Sequence, residues 1–418
     1  MRLRHYFAAL ALVALAAPAW AAVAEPWPAA QPEAVGMSSV RLGRIGTALK
    51  TEIDSGTIPG AVVAIVRKGR LVYFESFGYV DKTSGARMPK DAIFTIASMT
   101  KPLTVTGALM LYEEGRLLLN DPVGKYLPQL DNVVVATASG TEPARRKPTI
   151  QDLMRHTAGF TYGNRGSGPL YKNYPQSSGE AADTMTSEAF LSALGGLPLF
   201  YQPGTRWDYS FGMDLVGLTV EAVTKQKLGY YLRERLFAPL GMADTGFVIP
   251  SEKMSRFAKP LPADPQTGKP QSFRNPVNPN KFDCGGGCAY STAMDYARFA
   301  EMLRNRGKFE DRQYLGRKTV EFMTSDQLGP EVNNEKLRDF PNMNGYGFGL
   351  SVAVRKGAGV PGIMGTPGDF NWGGANGTYF WVDPKEELTV VFMASAPGEV
   401  RVHMRQLITT LVLQAIAD

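Results

Sequence analysis

Strand-forming residues gather near the two ends of this chain, and a sheet satisfies its backbone groups only by pairing such runs with one another. The stretch "GAVVAIVRKGRLVYFESFGYVD", Gly60 to Asp81, holds two β-rich runs separated by Lys68-Gly69-Arg70, which predicts a hairpin. Far downstream, "YGFGLSVAVRKG", "NWGGANGTYFWVDP" and "ELTVVFMASAP" are each strand-length and bounded by Gly, Pro or Asp. After them Met404, Leu407, Ile408, Leu411, Val412 and Ala415 recur at helical spacing, so the chain should close with an amphipathic helix. Between these ends helical patterns dominate, as in Thr104 to Glu114, Met213 to Thr224 and Ala293 to Arg304. The expected fold is α/β of the α+β type: an antiparallel sheet flanked by helices, built from residues 22–120 and 340–418, with a mostly helical domain inserted over 121–339. Two long irregular stretches, from Thr161 and from Pro250, are expected to form functional rims.

The first residues combine a basic start, an apolar stretch from Tyr6 to about Ala17 and small residues around Ala19 to Ala21, which reads as a secretory signal over residues 1–21. No cysteine follows it to take a lipid, and no later run has the roughly 18 apolar residues of a membrane span. A soluble, exported and periplasmic protein is therefore expected, without a membrane anchor. The formal charge of +6 falls by the two charges of Arg2 and Arg4 once the signal leaves, which is too little to suggest nucleic acid. The two cysteines, Cys284 and Cys288, are compatible with one local bridge and equally with a tight loop of small residues. No H-e-x-x-H pattern or second cysteine pair points to a metal.

The stretch "TIASMTKPLT" supplies the chemistry. Ser98 and Lys101 lie three apart, so they share a face if a helix starts here, and Pro102 is tolerated in a first turn. A serine is a poor nucleophile until a base takes its proton, and a lysine serves where burial or a second cation makes it release its own. This is the only Ser-x-x-Lys in the chain, and it follows the strand-like "AIFTIA".

These residues resemble the serine hydrolases of the β-lactamase and penicillin-binding-protein superfamily, and within it the family VIII carboxylesterases. "FTIASMTKPLT" is similar to the nucleophile block, "LLLNDPVGKYLP" to the segment after its helix and "LMRHTAGF" to the His-Thr-x-Gly block. "YQPGTRWDYSFGMDLVG" resembles the tyrosine block, "GGGCAYSTAMDYARFAEML" the Gly-Ser-Thr block and "WGGANGTYFWVDP" the final strand. The resemblance implies a β-lactamase-like two-domain fold, Ser98 as nucleophile, Lys101 as its activating partner and Tyr209 as proton carrier, with no cofactor. Tyr162 and Tyr171 also precede an asparagine by two positions but lack the surrounding block. Phe211 stands where relatives carry asparagine, and is expected among the substrate contacts. Where β-lactamases carry Lys-Thr-Gly the chain has Trp372-Gly373-Gly374, as the esterases do, and its glycines are expected to let substrate lie along the strand. By the same resemblance the N–H groups of Ser98 and Ala375 form the oxyanion hole.

A Ser-His-Asp triad would need His156 or His403, and no Gly-x-Ser-x-Gly elbow presents a serine. His156 is read as structural. The resemblance implies hydrolysis of small, mostly neutral carboxylic esters through an acyl-serine intermediate, and is compatible with weak β-lactam hydrolysis. The alternatives that share this machinery are a β-lactamase or D-amino-acid peptidase, and a penicillin-binding protein that acylates slowly; Trp372 in place of lysine favours the ester.

Overall fold

The computed structural model describes residues 27–271, 273–341 and 343–418, so the secretory signal expected over residues 1–21 lies outside the described residues. Eight strands form one antiparallel sheet, in the spatial order Tyr346–Phe348, Ala353–Arg355, Phe370–Gly373, Tyr379–Asp383, Leu388–Ala394, Gly60–Arg67, Arg70–Asp81 and Ala86–Arg87. The two ends of the chain meet in the middle of this order, where Gly60–Arg67 pairs Leu388–Ala394 with Val63 opposite Phe392. Gly60–Arg67 is buried along its whole length, which is why it reads as an unbroken apolar run. Its turn to the next strand places Lys68 and Gly69 at φ of 50° and 73°, the left-handed pair that suits the twist of a two-residue hairpin.

Strand alternation sends side chains to two cores. Ala61, Val63, Ile65, Val390 and Phe392 face the helices Ser39–Asp54 and Val400–Leu413, while Val62, Ala64, Val391 and Met393 face the larger core on the other side. The first of those helices presents Leu42, Ile45, Leu49 and Ile53 inward and is capped by Ser38, whose side chain accepts from the Arg41 N–H.

On the opposite face lies the helix Ala293–Arg304, against strands Leu388–Ala394, Gly60–Arg67 and Tyr379–Asp383. The sequence reading put this helix inside the inserted domain. It packs on the sheet, where Tyr296 lies against Phe380 and its hydroxyl bonds the Met99 carbonyl at 2.8 Å. Behind it the helix Thr100–Glu113 is buried from Thr100 to Leu111 and packs against Gly212–Thr224 and Leu228–Leu232. Among the described residues no helix is long and apolar enough to cross a membrane.

Leu49 is wholly buried between its helix and the sheet. Leu49→Ala should therefore lower stability by about 2–5 kcal/mol, seen as a lower urea midpoint with an unchanged slope.

Candidate active site

Ser98 sits in the single 3-10 turn Ala97–Met99 that runs directly into the helix Thr100–Glu113. Ala97 takes a left-handed φ of 42°, a strained turn that lifts the serine out of the preceding strand Phe94–Thr95. Ser98 is half-buried, whereas Lys101 has only 1% of its surface exposed. The Lys101 Nζ donates to Ser98 Oγ at 3.4 Å and to the carbonyl of Gly286 at 2.5 Å. It also lies 4.5 Å from the centre of the Tyr209 ring and 5.7 Å from that of Tyr162.

The loop that carries Gly286 is closed by a disulfide between Cys284 and Cys288, with Cα atoms 5.3 Å apart. Its glycines are dictated by close approach. A Cβ on Gly285 would stand 2.6 Å from the Met213 carbonyl, and one on Gly286 2.3 Å from Asp214 Oδ2. Asp214 accepts from the Gly286 N–H at 2.9 Å and from Ser178 Oγ at 2.7 Å, and Ser178 in turn meets the Tyr162 hydroxyl at 3.0 Å. Burial raises the Asp214 carboxyl above its usual range, opposed first by the Lys101 charge. Sequence reading missed Asp214 and Ser178, which no motif marks.

Tyr209 precedes the helix Gly212–Thr224 and is held through its neighbours: Trp207 N–H bonds Asn333 O at 2.9 Å, and Asp208 N–H bonds His156 O at 2.9 Å. The Tyr209 hydroxyl is buried with no hydrogen-bond partner among the described residues. Tyr162, set aside in the sequence reading, packs on Tyr209 at 5.6 Å. Burial holds its phenol well above the usual range, and the Asp214 charge adds to this, so it serves as a neutral donor to Ser178. Tyr171 lies elsewhere, against Phe200 and Lys336. His156 supports Tyr209 from behind, its ring 4.5 Å away, while its Nδ1 accepts from the Ser210 N–H. Burial, then the Lys101 and Arg165 charges, keep it neutral. His403 pairs with Glu52 on the surface, and neither histidine bonds Ser98.

Two expectations need correction. Phe211 has no exposed surface and packs on Tyr162 and Phe190, so it shapes the wall from behind and does not face substrate. The glycines of Phe370–Gly373 and the following turn do not clear a path for substrate along the strand either. A Cβ on Gly373 would meet the Arg405 guanidinium at 2.4 Å, and one on Gly374 the Ile96 carbonyl at 2.4 Å. The turn from Gly374 to Thr378 is thereby pinned onto the nucleophile segment, where Thr378 Oγ1 donates to Ile96 O at 3.3 Å, and Ala375 is exposed at its tip.

Trp372 is 2% exposed and forms an aromatic wall with Tyr209 at 5.6 Å, Phe348 at 5.3 Å and Phe340, which stacks on it at 5.7 Å. Phe340 comes from the segment after the helix Glu335–Arg338, tied down by an ion pair between Lys336 and Asp208. Arg165, from the irregular stretch after Thr161, lies over both Phe340 and Tyr209 at 5.1 and 5.9 Å.

A Ser-x-x-Lys pair with its lysine buried beside a tyrosine, on an antiparallel sheet flanked by helices, defines a class, and comparison with known proteins gives the same class. The Beta-lactamase family matches residues 45–412. Protein Rv1367c of Mycobacterium tuberculosis is 36% identical over 354 residues, covering 81% of this chain and 86% of its own. Esterase EstB of Burkholderia gladioli is 30% identical over 366 residues, again covering 81% and 86%. The solved structure of EstCE1, described as a hydrolase with promiscuous acyltransferase activity, has a TM-score of 0.76 at 24% identity, covering 91% of this chain and 99% of that one; it speaks to the fold. The chain belongs to the beta-lactamase family and is a serine hydrolase with the beta-lactamase-like fold.

The disulfide should be present in protein purified without reductant, with no free thiol after denaturation and two after reduction. Because it closes a short loop, its removal in Cys284→Ser/Cys288→Ser should cost about 2 kcal/mol. Asp214→Asn keeps the bond from Gly286 but removes the charge that balances Lys101. It should lower kcat at least about tenfold, measured beside a circular-dichroism spectrum that stays native.

Proposed function

We propose that the protein is an exported esterase cleaving small, uncharged carboxylic esters through an acyl-Ser98 intermediate. The observation that carries this reading is the buried Lys101 ammonium on Ser98 Oγ, with the free Tyr209 hydroxyl beside it. Before Ser98 Oγ attacks the ester carbonyl carbon, the Lys101–Tyr209 pair gives up one proton to solvent, because an ammonium beside a phenol has no basic site free; the serine proton then passes to the pair and the carbonyl oxygen takes the charge. The C–O bond to the alcohol breaks as Tyr209 returns a proton to that oxygen. Water then adds to the acyl-serine by the same route, releasing the acid and restoring Ser98.

The walls favour an uncharged substrate. Trp372 stands where the related β-lactamases offer a lysine to a drug carboxylate, and a hydrogen bond to a charged group is worth about 1.5–3 kcal/mol. Losing it predicts roughly 10- to 150-fold weaker selection for carboxylates. Arg165 is a cation at the aromatic rim, and it is stacked on Phe340 and Tyr209. Export rests on the basic and apolar opening of the sequence.

Ser98→Ala should abolish hydrolysis of p-nitrophenyl esters, and a fluorophosphonate should add once, at Ser98, by mass spectrometry of peptides. Tyr209→Phe keeps the ring and should lose roughly 10² to 10⁴ in kcat. Neutral short-chain esters should exceed cephalosporins at least about tenfold in kcat/KM. Faster cleavage of the cephalosporin would overturn the ester reading, and a preference for carboxylate-bearing esters would give Arg165 the role that Trp372 vacates.

A further inference from the structure

Arg405, on the C-terminal helix Val400–Leu413, is a half-buried cation with no carboxylate partner among the described residues. Its Nη2 donates to the Gly374 carbonyl at 2.5 Å and to the Thr378 carbonyl at 3.2 Å, its Nε is buried without a partner, and its charge lies over the Tyr379 ring at 5.6 Å. Even partial burial of a lone guanidinium is costly: its proton affinity is pushed down, to a pKa of about 10, first by desolvation and then by Arg401. The strand leaves it room only because Gly373 has no side chain. A helix that needed only to cover the sheet would place an apolar residue there, as it does with Met404 and Ile408.

The Gly374 carbonyl and the Ala375 N–H are two ends of one peptide unit. A charged donor on the carbonyl oxygen draws electron density from the nitrogen through amide resonance, and so strengthens the N–H as a donor. The same two bonds hold the turn in place, together with Gly377 N–H to Gly374 O at 3.1 Å and Gly374 N–H to Thr378 O at 2.9 Å.

We propose that Arg405 is a positioning residue of the oxyanion site: it orients and polarises the Gly374–Ala375 peptide so that the Ala375 N–H is aimed and strengthened toward the tetrahedral oxygen. This rests on the reading of Ala375 as an oxyanion donor. The arrangement couples the C-terminal helix to the chemistry without a direct contact to substrate, and it gives Gly373 its reason: alanine there would displace the guanidinium.

The test is the infrared carbonyl frequency of the acyl-Ser98 ester, trapped with a slowly deacylating ester labelled with ¹³C at its carbonyl, in the wild type, R405K, R405M and G373A. In the wild type the band should fall below that of the same ester in water. In R405M and G373A it should move up, with kcat about tenfold lower and KM nearly unchanged, within the roughly 10²- to 10³-fold that a whole oxyanion donor is worth. R405K, which keeps a cation, should recover part of both. Thermal melting identifies the folded variants; if R405M does not fold, G373A carries the test. A wild-type band at the water value would sink the oxyanion reading itself. A lowered wild-type band that stays put in the folded variants would sink the role of Arg405 alone.

Discussion

The arrangement depends on one buried charge. Lys101 has almost no exposed surface, and an ammonium taken out of water costs several kcal/mol unless other groups replace its hydration. Here they are the Gly286 carbonyl, the Ser98 hydroxyl and the face of Tyr209, with the Asp214 carboxylate acting at longer range. These groups come from three separate segments, so satisfying one lysine fixes the nucleophile turn, the disulfide-closed loop and the start of the helix Gly212–Thr224 against each other. The glycines of that loop follow directly, since the backbone has to come within reach of both Lys101 and Asp214. Serine and tyrosine are positioned by what the lysine needs.

Local features of this plan were legible in the sequence. The Lys68-Gly69 hairpin, the late strands, the helix Ala293–Arg304 and the C-terminal helix all carry periodicity or turn chemistry that acts within a few residues. The Ser98–Lys101 spacing is equally local, and the helix begins where the prediction requires. The block around Tyr209 could be picked out from Tyr162 and Tyr171 by resemblance alone. Its unpartnered hydroxyl and its place over the Lys101 Nζ could not, because both are facts of assembly.

What escaped the sequence are residues whose meaning lies across the fold. Asp214 looks like an acidic residue in a first helical turn, favourable to the helix dipole and unremarked, until Gly286 and Ser178 close on it. Gly373 and Gly374 looked like space for a ligand; the space is taken by Arg405 and by the Ile96 carbonyl, neither of which is near them in sequence. Phe211 stands at a position that faces substrate in relatives with asparagine, but an aromatic ring there gains more by burial against Tyr162 and Phe190 than it would in a wet cleft. The assignment of Ala293–Arg304 failed for the same reason, since an amphipathic pattern states that a face is buried and not against what.

A modest overall charge conceals a marked local one. Lys101 and Arg165 lie over Tyr209, Arg405 bonds the turn bearing Ala375, and Asp214, bonded to Gly286 and Ser178, is the carboxylate that answers Lys101. Such a field is a poor place to bury a resting site, as the partnerless Nε atoms of Arg165 and Arg405 attest. It is a good place for a tetrahedral oxyanion, whose charge appears only during reaction and needs stabilising dipoles that are already in position. The cost of holding these cations is borne by the aromatic packing of Trp372, Phe340, Phe348 and Tyr209, which excludes water and makes each charge felt more strongly. Stability and catalysis therefore pull on the same residues in opposite directions, and the aromatic wall is also what allows the charges beside it to remain without carboxylate partners.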